Sequence, residues 1–202
     1  MLPIDPKEKI AFTPPHLWSE EEKEKPRPVI WMRPMSIIDR ARWQAALTAI
    51  GARVVTDAEM AAARLPVLQA LDCSDAECEA IQALYELAEK ARNEGRALDK
   101  ADQVSLMKVE RMIVQADEHY RLLAETRALY LEVAPILALK QQCFGWQNMP
   151  RRDGGGMVAF RRENGAVAEA ALEQLDPLTL LLAGFRAIGL SSVSEADAKK
   201  SA

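Results

Sequence analysis

The sequence predicts a mainly α protein: a helical bundle built on a long central helix, with a small β-hairpin and a short edge strand. Three observations lead there. Aromatic residues make up only 5% of the 202 residues, while alanine and leucine dominate, a bias that suits helices better than sheets. Apolar residues recur at helical spacing from about Asp99 to Gln142, through Leu106, Val109, Ile113, Ala116, Tyr120 and Leu123. Ser36, Thr56 and Ser74 are each followed three residues later by an acid, the signature of a capped helix start.

Residues 1–27 carry five prolines and the charge run Glu20–Lys25, with too little apolar periodicity to bury a face, and read as an extended N-terminal arm. Trp18 stands out in it, either folding back onto the domain or anchoring a partner. Residues 28–142 read as a helical domain with a short N-terminal strand. Pro28-Val-Ile-Trp-Met-Arg-Pro34 brackets strand-favouring residues with prolines, which suits a sheet edge. Ser36 then opens a helix whose expected core face is Ile37, Ile38, Ala41, Ala45 and Ile50, with Trp43 at the margin and Gly51 at the end. The helix opened by Thr56 meets Pro66, where a kink or restart is expected. The helix opened by Ser74 carries Cys78, Ile81, Leu84, Tyr85 and Ala88 on one stripe, and Gly95 closes it.

The central stretch is expected to run unbroken to Pro135, roughly 50 Å at 1.5 Å per residue. The short link at Gly95 pairs it with the preceding helix as an antiparallel hairpin, Ile81 and Leu84 meeting the surface from Ile113 to Tyr120. Its stripe, widened by Met107, Met112, Leu122 and Leu129, is broader than one neighbouring helix covers. These four residues, with Trp18, are the candidate partner-binding set, since methionine and leucine surfaces adapt to varied partners. Other helices of the chain, or a second copy, are the alternative cover, so a homo-oligomer is compatible with the sequence.

Residues 143–164 read as a β-hairpin, Phe144–Met149 and Met157–Phe160 flanking a glycine-rich turn. Residues 165–202 read as C-terminal helices and a polar tail. Helical texture begins at Arg162, and Asp176-Pro177 starts the last main helix. Leu178, Leu181, Leu182, Phe185 and Ile188 give that helix its expected core face, and Gly189 its stop.

A formal charge of −4 argues against a general nucleic-acid grip, which needs phosphate neutralisation. Three cysteines form no disulfide framework and fit a reducing compartment. No apolar run approaches the roughly 18 residues of a membrane span, and the N-terminus lacks the apolar centre of a signal peptide, so a soluble cytoplasmic protein is expected. Gly154–Gly156 lack the following helix and the Lys-Ser/Thr pair of a phosphate loop. Cys73, Cys78, Cys143, His16 and His119 fall into no zinc-ligand spacing. No nucleophile and base stand in a recognisable pattern. Neither enzyme activity nor a cofactor or metal is expected. Arg151, Arg152, Arg161 and Arg162 make a local basic patch, either solvated or aimed at an acidic partner.

Gly145-Trp146-Gln-Asn148, then Asp153-Gly154, then Met157-Val158-Ala-Phe160 before a closing helix, resembles the late segment of the tail assembly chaperones of long-tailed bacteriophages. Lys25-Pro-Arg-Pro-Val-Ile-Trp-Met-Arg-Pro34 is similar to their opening, and Gly189-Leu-Ser-Ser with Glu195–Lys199 to their polar ends. The resemblance implies a non-enzymatic protein of the host bacterial cytoplasm, not expected in the mature virion. Such a protein binds the tape-measure protein and keeps its long apolar helix soluble until tail-tube protein assembles around it. It also implies that Trp146 and Phe160 are structural residues; Ile113 and Tyr120 are structural by their spacing, in the helical seam. A structural tail or head-to-tail connector subunit and a cellular helical interaction module are the rival classes.

Overall fold

The computed structural model describes residues 9–19, 21 and 24–191. Residues 1–8 of the expected arm, part of its charge run and the expected polar tail after Ser191 lie outside the described residues. Among the described residues the chain is mainly α, with seven helices, a three-stranded antiparallel sheet and a two-residue ladder. It divides into two compact units, Met1–Ala52 with Leu129–Ala202, and Arg53–Ala128. One boundary follows Ala52 and the other falls inside the longest helix, whereas the sequence reading places its divisions at 27, 142 and 164.

The first unit holds β1 (Ile10–Phe12), β2 (Val29–Met32) and β3 (Cys143–Gln147), ordered β1-β2-β3 with both pairings antiparallel. The expected edge strand is therefore central. Pro28 and Pro34 lie outside it, so its amides are free to pair on both sides. The middle of the expected arm forms the strand β1, held by the register Ile10↔Met32. The expected hairpin over 143–164 shrinks to a bridge between Pro150 and Met157, supported by the Val158 amide donating to the Met149 carbonyl at 2.8 Å. β3 finds its ladder on β2 instead, a long-range pairing that offers more hydrogen bonds than the local one. Arg162 does not open a helix either. Asn164 and Gly165, at φ 52° and 81°, form a tight turn joining β4 (Arg162–Glu163) to β5 (Ala166–Val167), the pattern that Asn-Gly favours.

Helix α1 (Ile37–Ala49) starts as expected, with Ser36 and Asp39 capping each other's backbone amides. Its orientation is the reverse of the expected one. Trp43 and Leu47 face inward, while Ile37, Ile38, Ala41, Ala45 and Ile50 are exposed. The Trp43 indole donates to the Ala134 carbonyl at 3.0 Å and meets Tyr130 edge-on at 6.4 Å. One tryptophan with a satisfied N–H buries more area than the isoleucines at the helix start.

The last helices are α6 (Glu169–Leu172) and α7 (Pro177–Ser191). Asp176 accepts the Thr179 amide at 3.0 Å to start α7. α7 does not stop at Gly189, and it buries Thr179, Ala183, Gly184, Ala187 and Leu190 while leaving Leu178 and Phe185 half exposed. Small residues win this face because the helix approaches another backbone closely: a Cβ on Gly184 would lie 2.2 Å from the Pro135 carbonyl oxygen. Pro135 itself, fully buried, stands inside α5 (Glu118–Gln142) without breaking it.

The second unit holds α2 (Asp57–Ala70), α3 (Asp75–Asn93), α4 (Lys100–Ala116) and the start of α5. Capping boxes at Thr56 and Ser74 start α2 and α3, and α2 passes through Pro66 uninterrupted. The expected unbroken helix from Asp99 is two helices. Asp117, extended at φ −137° and ψ 125°, separates α4 from α5 and accepts the Tyr120 amide at 2.6 Å. A carboxylate that can cap a new helix ends the old one at little cost. Ile113 and Tyr120, both fully buried, centre a core with Met60, Val67 and Leu68, against which Ile81 and Cys78 pack. The α3–α4 pairing thus exists, with Leu84 half-buried, but α2 supplies much of its core.

Candidate interaction surface

The reversed orientation of α1 leaves an uncharged helical face in solvent. Ile37, Ala41, Ala45 and Thr48 follow steps of four, four and three on one side of the helix, with Ile38 and Ala49 beside them, and all six are exposed. Ile37 is 89% and Ile38 65% exposed. Each forgoes roughly 1.5–3 kcal/mol that full burial would return. The two isoleucines stand at one end of the stripe and the small residues follow, so a second helix can approach the middle closely while its side chains flank the isoleucines. Arg42 at the margin makes no ion pair among the described residues. With Arg33, Pro34, Ser36, Ile38 and Asp39 it lines a shallow hollow of about 280 Å³ at the helix start.

The sequence-nominated partner residues are spread across both units. Met107, at 71%, and Leu122, at 51%, are exposed in the second unit, and Met112 is at the margin of exposure. Leu129 lies in the first unit, half-buried against Leu47, Ala52 and Ala134. Trp18 is half-buried, with the Arg27 guanidinium 4.9 Å from its ring and its indole nitrogen buried without a hydrogen-bond partner. Sequence reasoning missed the α1 face because it assigned four of its six residues, Ile37, Ile38, Ala41 and Ala45, to the core.

Of the residues expected to be structural, Trp146, Ile113 and Tyr120 are buried and Phe160 is half-buried. Trp146 is 7% exposed, donates its indole N–H to the Val158 carbonyl at 2.8 Å and meets the Phe160 ring edge-on at 4.8 Å. Cys143 is fully buried beside them, and burial pushes its thiol pKa up to about 12, which removes it from thiolate chemistry at neutral pH.

The second unit also has an open groove of about 760 Å³. Ala63, Pro66, Val67 and Leu123 contribute to its apolar lining, and Arg53 and Glu59, paired at 2.7 Å, to its rim. Most charged residues of this unit are exposed, but Arg64 and Glu110 turn inward. Arg64, 6% exposed, lies with its guanidinium carbon 3.1 Å from the centroid of the Tyr85 ring. Tyr85 and Tyr120 both donate to the Glu110 carboxylate, Tyr120 at 3.0 and 3.1 Å. Burial, then the Glu110 carboxylate, hold the Tyr85 phenol well above its ordinary range, and the same two causes raise Tyr120. The network joins α2, α3, α4 and α5, with Tyr85 and Tyr120 as neutral donors to the Glu110 carboxylate and the Arg64 guanidinium against the Tyr85 ring, an arrangement that fixes packing.

His16, Asp176 and Thr179 come together unannounced by the sequence. His16 Nε2 lies 3.2 Å from Asp176 Oδ2 and 3.0 Å from Thr179 Oγ1. In a nucleophile relay the carboxylate would hold the opposite ring nitrogen. Here carboxylate and hydroxyl share one nitrogen, and Thr179 is fully buried, so the trio fastens the chain before β2 to the start of α7. The four arginines of the expected basic patch are partly tied down as well: Arg151 grips Asp153 through two nitrogens at 2.9 and 3.0 Å and Gln174 at 2.8 Å, and Arg162 donates to the Gly165 carbonyl.

Among the described residues no three His, Cys, Asp or Glu side chains are grouped to hold a metal, and no helix is long and apolar enough to cross a membrane. No protein-family model, curated protein or solved structure matches the chain.

Proposed function

We propose that this chain is a tail assembly chaperone of a long-tailed bacteriophage: a non-enzymatic protein that holds the tape-measure protein soluble in the host cytoplasm and leaves before the virion is complete. The observation that carries the reading is the α1 face. Six neighbouring uncharged residues, two of them isoleucines at 89% and 65% exposure, form a surface with the shape and chemistry to receive one side of an apolar helix. The motif order around Trp146 and Phe160 supports the phage assignment. A holding protein works by offering apolar surface to a partner that would otherwise aggregate, and mixed isoleucine and alanine relief suits a long helix of varied sequence.

Co-expression with a tape-measure fragment from the same genome is the test. The parent chain is expected to bring the fragment into the soluble fraction and to co-elute with it on sizing, while the Ile37→Asp, Ile38→Asp double variant is expected to do neither. A fragment equally insoluble with and without the parent removes the chaperone reading in favour of a structural subunit, which purified particles would then contain. A fragment solubilised equally by parent and variant removes α1 as the site.

A further inference from the structure

Helix α4 turns a second stripe to solvent, and its character differs from that of α1. Lys100, Val104, Met107, Lys108 and Arg111 lie at i, i+4, i+7, i+8 and i+11, all exposed. No acid interrupts them, because Glu110 is turned inward to Tyr85 and Tyr120. None of the three cations makes an ion pair among the described residues. Helix α3 shows the opposite sign: Asp75, Glu79, Glu86 and Glu89, at i, i+4, i+11 and i+14, are all exposed, with Lys90 at the margin. A chain of formal charge −4 thus largely sorts its charges on one helical hairpin: the outer stripe of α4 is cationic with exposed apolar side chains, and that of α3 is acidic apart from Lys90, Arg92 being paired with Asp57.

We infer that α4 docks on α3 of a second copy of this chain, and that a two-fold axis makes the contact twice. Lys108 and Arg111 are three residues apart, as are Glu86 and Glu89. In an antiparallel pair that spacing brings Arg111 to Glu86 and Lys108 to Glu89 together. The same register sets Met112 level with Tyr85, and the exposed Ala83 two residues away is small enough to leave room for its side chain. Exposed ion pairs contribute little individually, so they set partner and register while Met107, Met112 and Val104 supply the apolar burial. A foreign acidic helix would have to reproduce this spacing, and duplex nucleic acid would leave Val104 and Met107 facing phosphates; the chain itself already carries the complement. Met107 and Met112 are then covered by a copy of the chain, and the α1 face remains for another partner. The inference does not rest on the chaperone reading, and its failure leaves that reading standing.

Light scattering on a sizing column tests it with the full chain at about 50 µM in low salt, circular dichroism confirming that each variant is folded. The parent is expected to run as a dimer whose dissociation constant rises at least tenfold with added salt, as screening of exposed pairs requires. Lys108→Glu with Arg111→Glu is expected to give monomer, as is Glu86→Lys with Glu89→Lys. An equimolar mixture of the two double variants is expected to restore the dimer, because each contact then again joins opposite signs. A monomeric parent overturns the inference. So does a double variant that dimerises as the parent does, or a mixture that stays monomeric.

Discussion

Gly184→Ala is expected to destabilise the first unit by about 3 kcal/mol or more, at the upper end of what an added core methyl group costs. The reason is the identity of what the new atom meets. A Cβ at this position would lie 2.2 Å from the Pro135 carbonyl oxygen, 2.4 Å from its carbonyl carbon and 2.5 Å from its Cβ. A flexible side-chain tip could swing away; a peptide carbonyl inside a helix cannot move without taking α5 with it. The flanking Ala183 and Ala187 are fully buried, so α7 cannot rotate to relieve the clash without burying Leu178 or Phe185. Denaturant unfolding followed by circular dichroism reads the effect. A variant as stable as the parent would mean that α7 and α5 do not cross at Gly184 and Pro135.

Trp146→Ala is expected to cost about 4 kcal/mol, in the range for deleting a buried tryptophan. Three losses combine: the area of a side chain only 7% exposed, the edge-to-face contact with Phe160, and the hydrogen bond that satisfies the Val158 carbonyl. Trp146 is opposite Ile30 in the sheet and belongs to the same core as Leu172 and Ala187, so the damage should reach α7. Amide exchange across Leu178–Ile188 is expected to accelerate with the drop in stability. Exchange as slow as in the parent would show that the indole only decorates β3.

The parts of the fold that depend on neighbours in sequence were readable from it. Ser36, Thr56, Ser74 and Asp176 cap helices because a side-chain oxygen three residues from a free amide acts locally. Gly51 and Gly95, at φ 74° and 66°, end helices for an equally local reason. Readings based on bulk failed where two backbones come close. On α7 the large residues looked like the core face, but the crossing at Pro135 admits only Gly184 and alanines. On α1 five apolar residues looked like a core face, but Trp43 and Leu47 outweigh them. Strand pairing was illegible because β2 and β3 lie more than a hundred residues apart, and nothing in Phe144–Gln147 names its partner. Asp117 was legible in principle as a cap. The apolar periodicity on both sides of it, which the structure preserves by burying both Ile113 and Tyr120, concealed the break. The interaction surface shared the error on α1, since a face assigned to the core is not searched for a partner.

The central claim is that the apolar face of α1 is surface and not core, and the thermal midpoint of Ile37→Asp tests it most directly. Ile37 is the first residue of the helix, where a carboxylate is favoured by the helix dipole. At 89% exposure the substitution removes almost no buried area. The structure predicts a midpoint unchanged, or raised slightly, in line with the few tenths of a kcal/mol that such a charge typically contributes. A midpoint lowered by the several degrees that correspond to the roughly 2–5 kcal/mol cost of deleting a buried isoleucine would place Ile37 in the core and contradict the account.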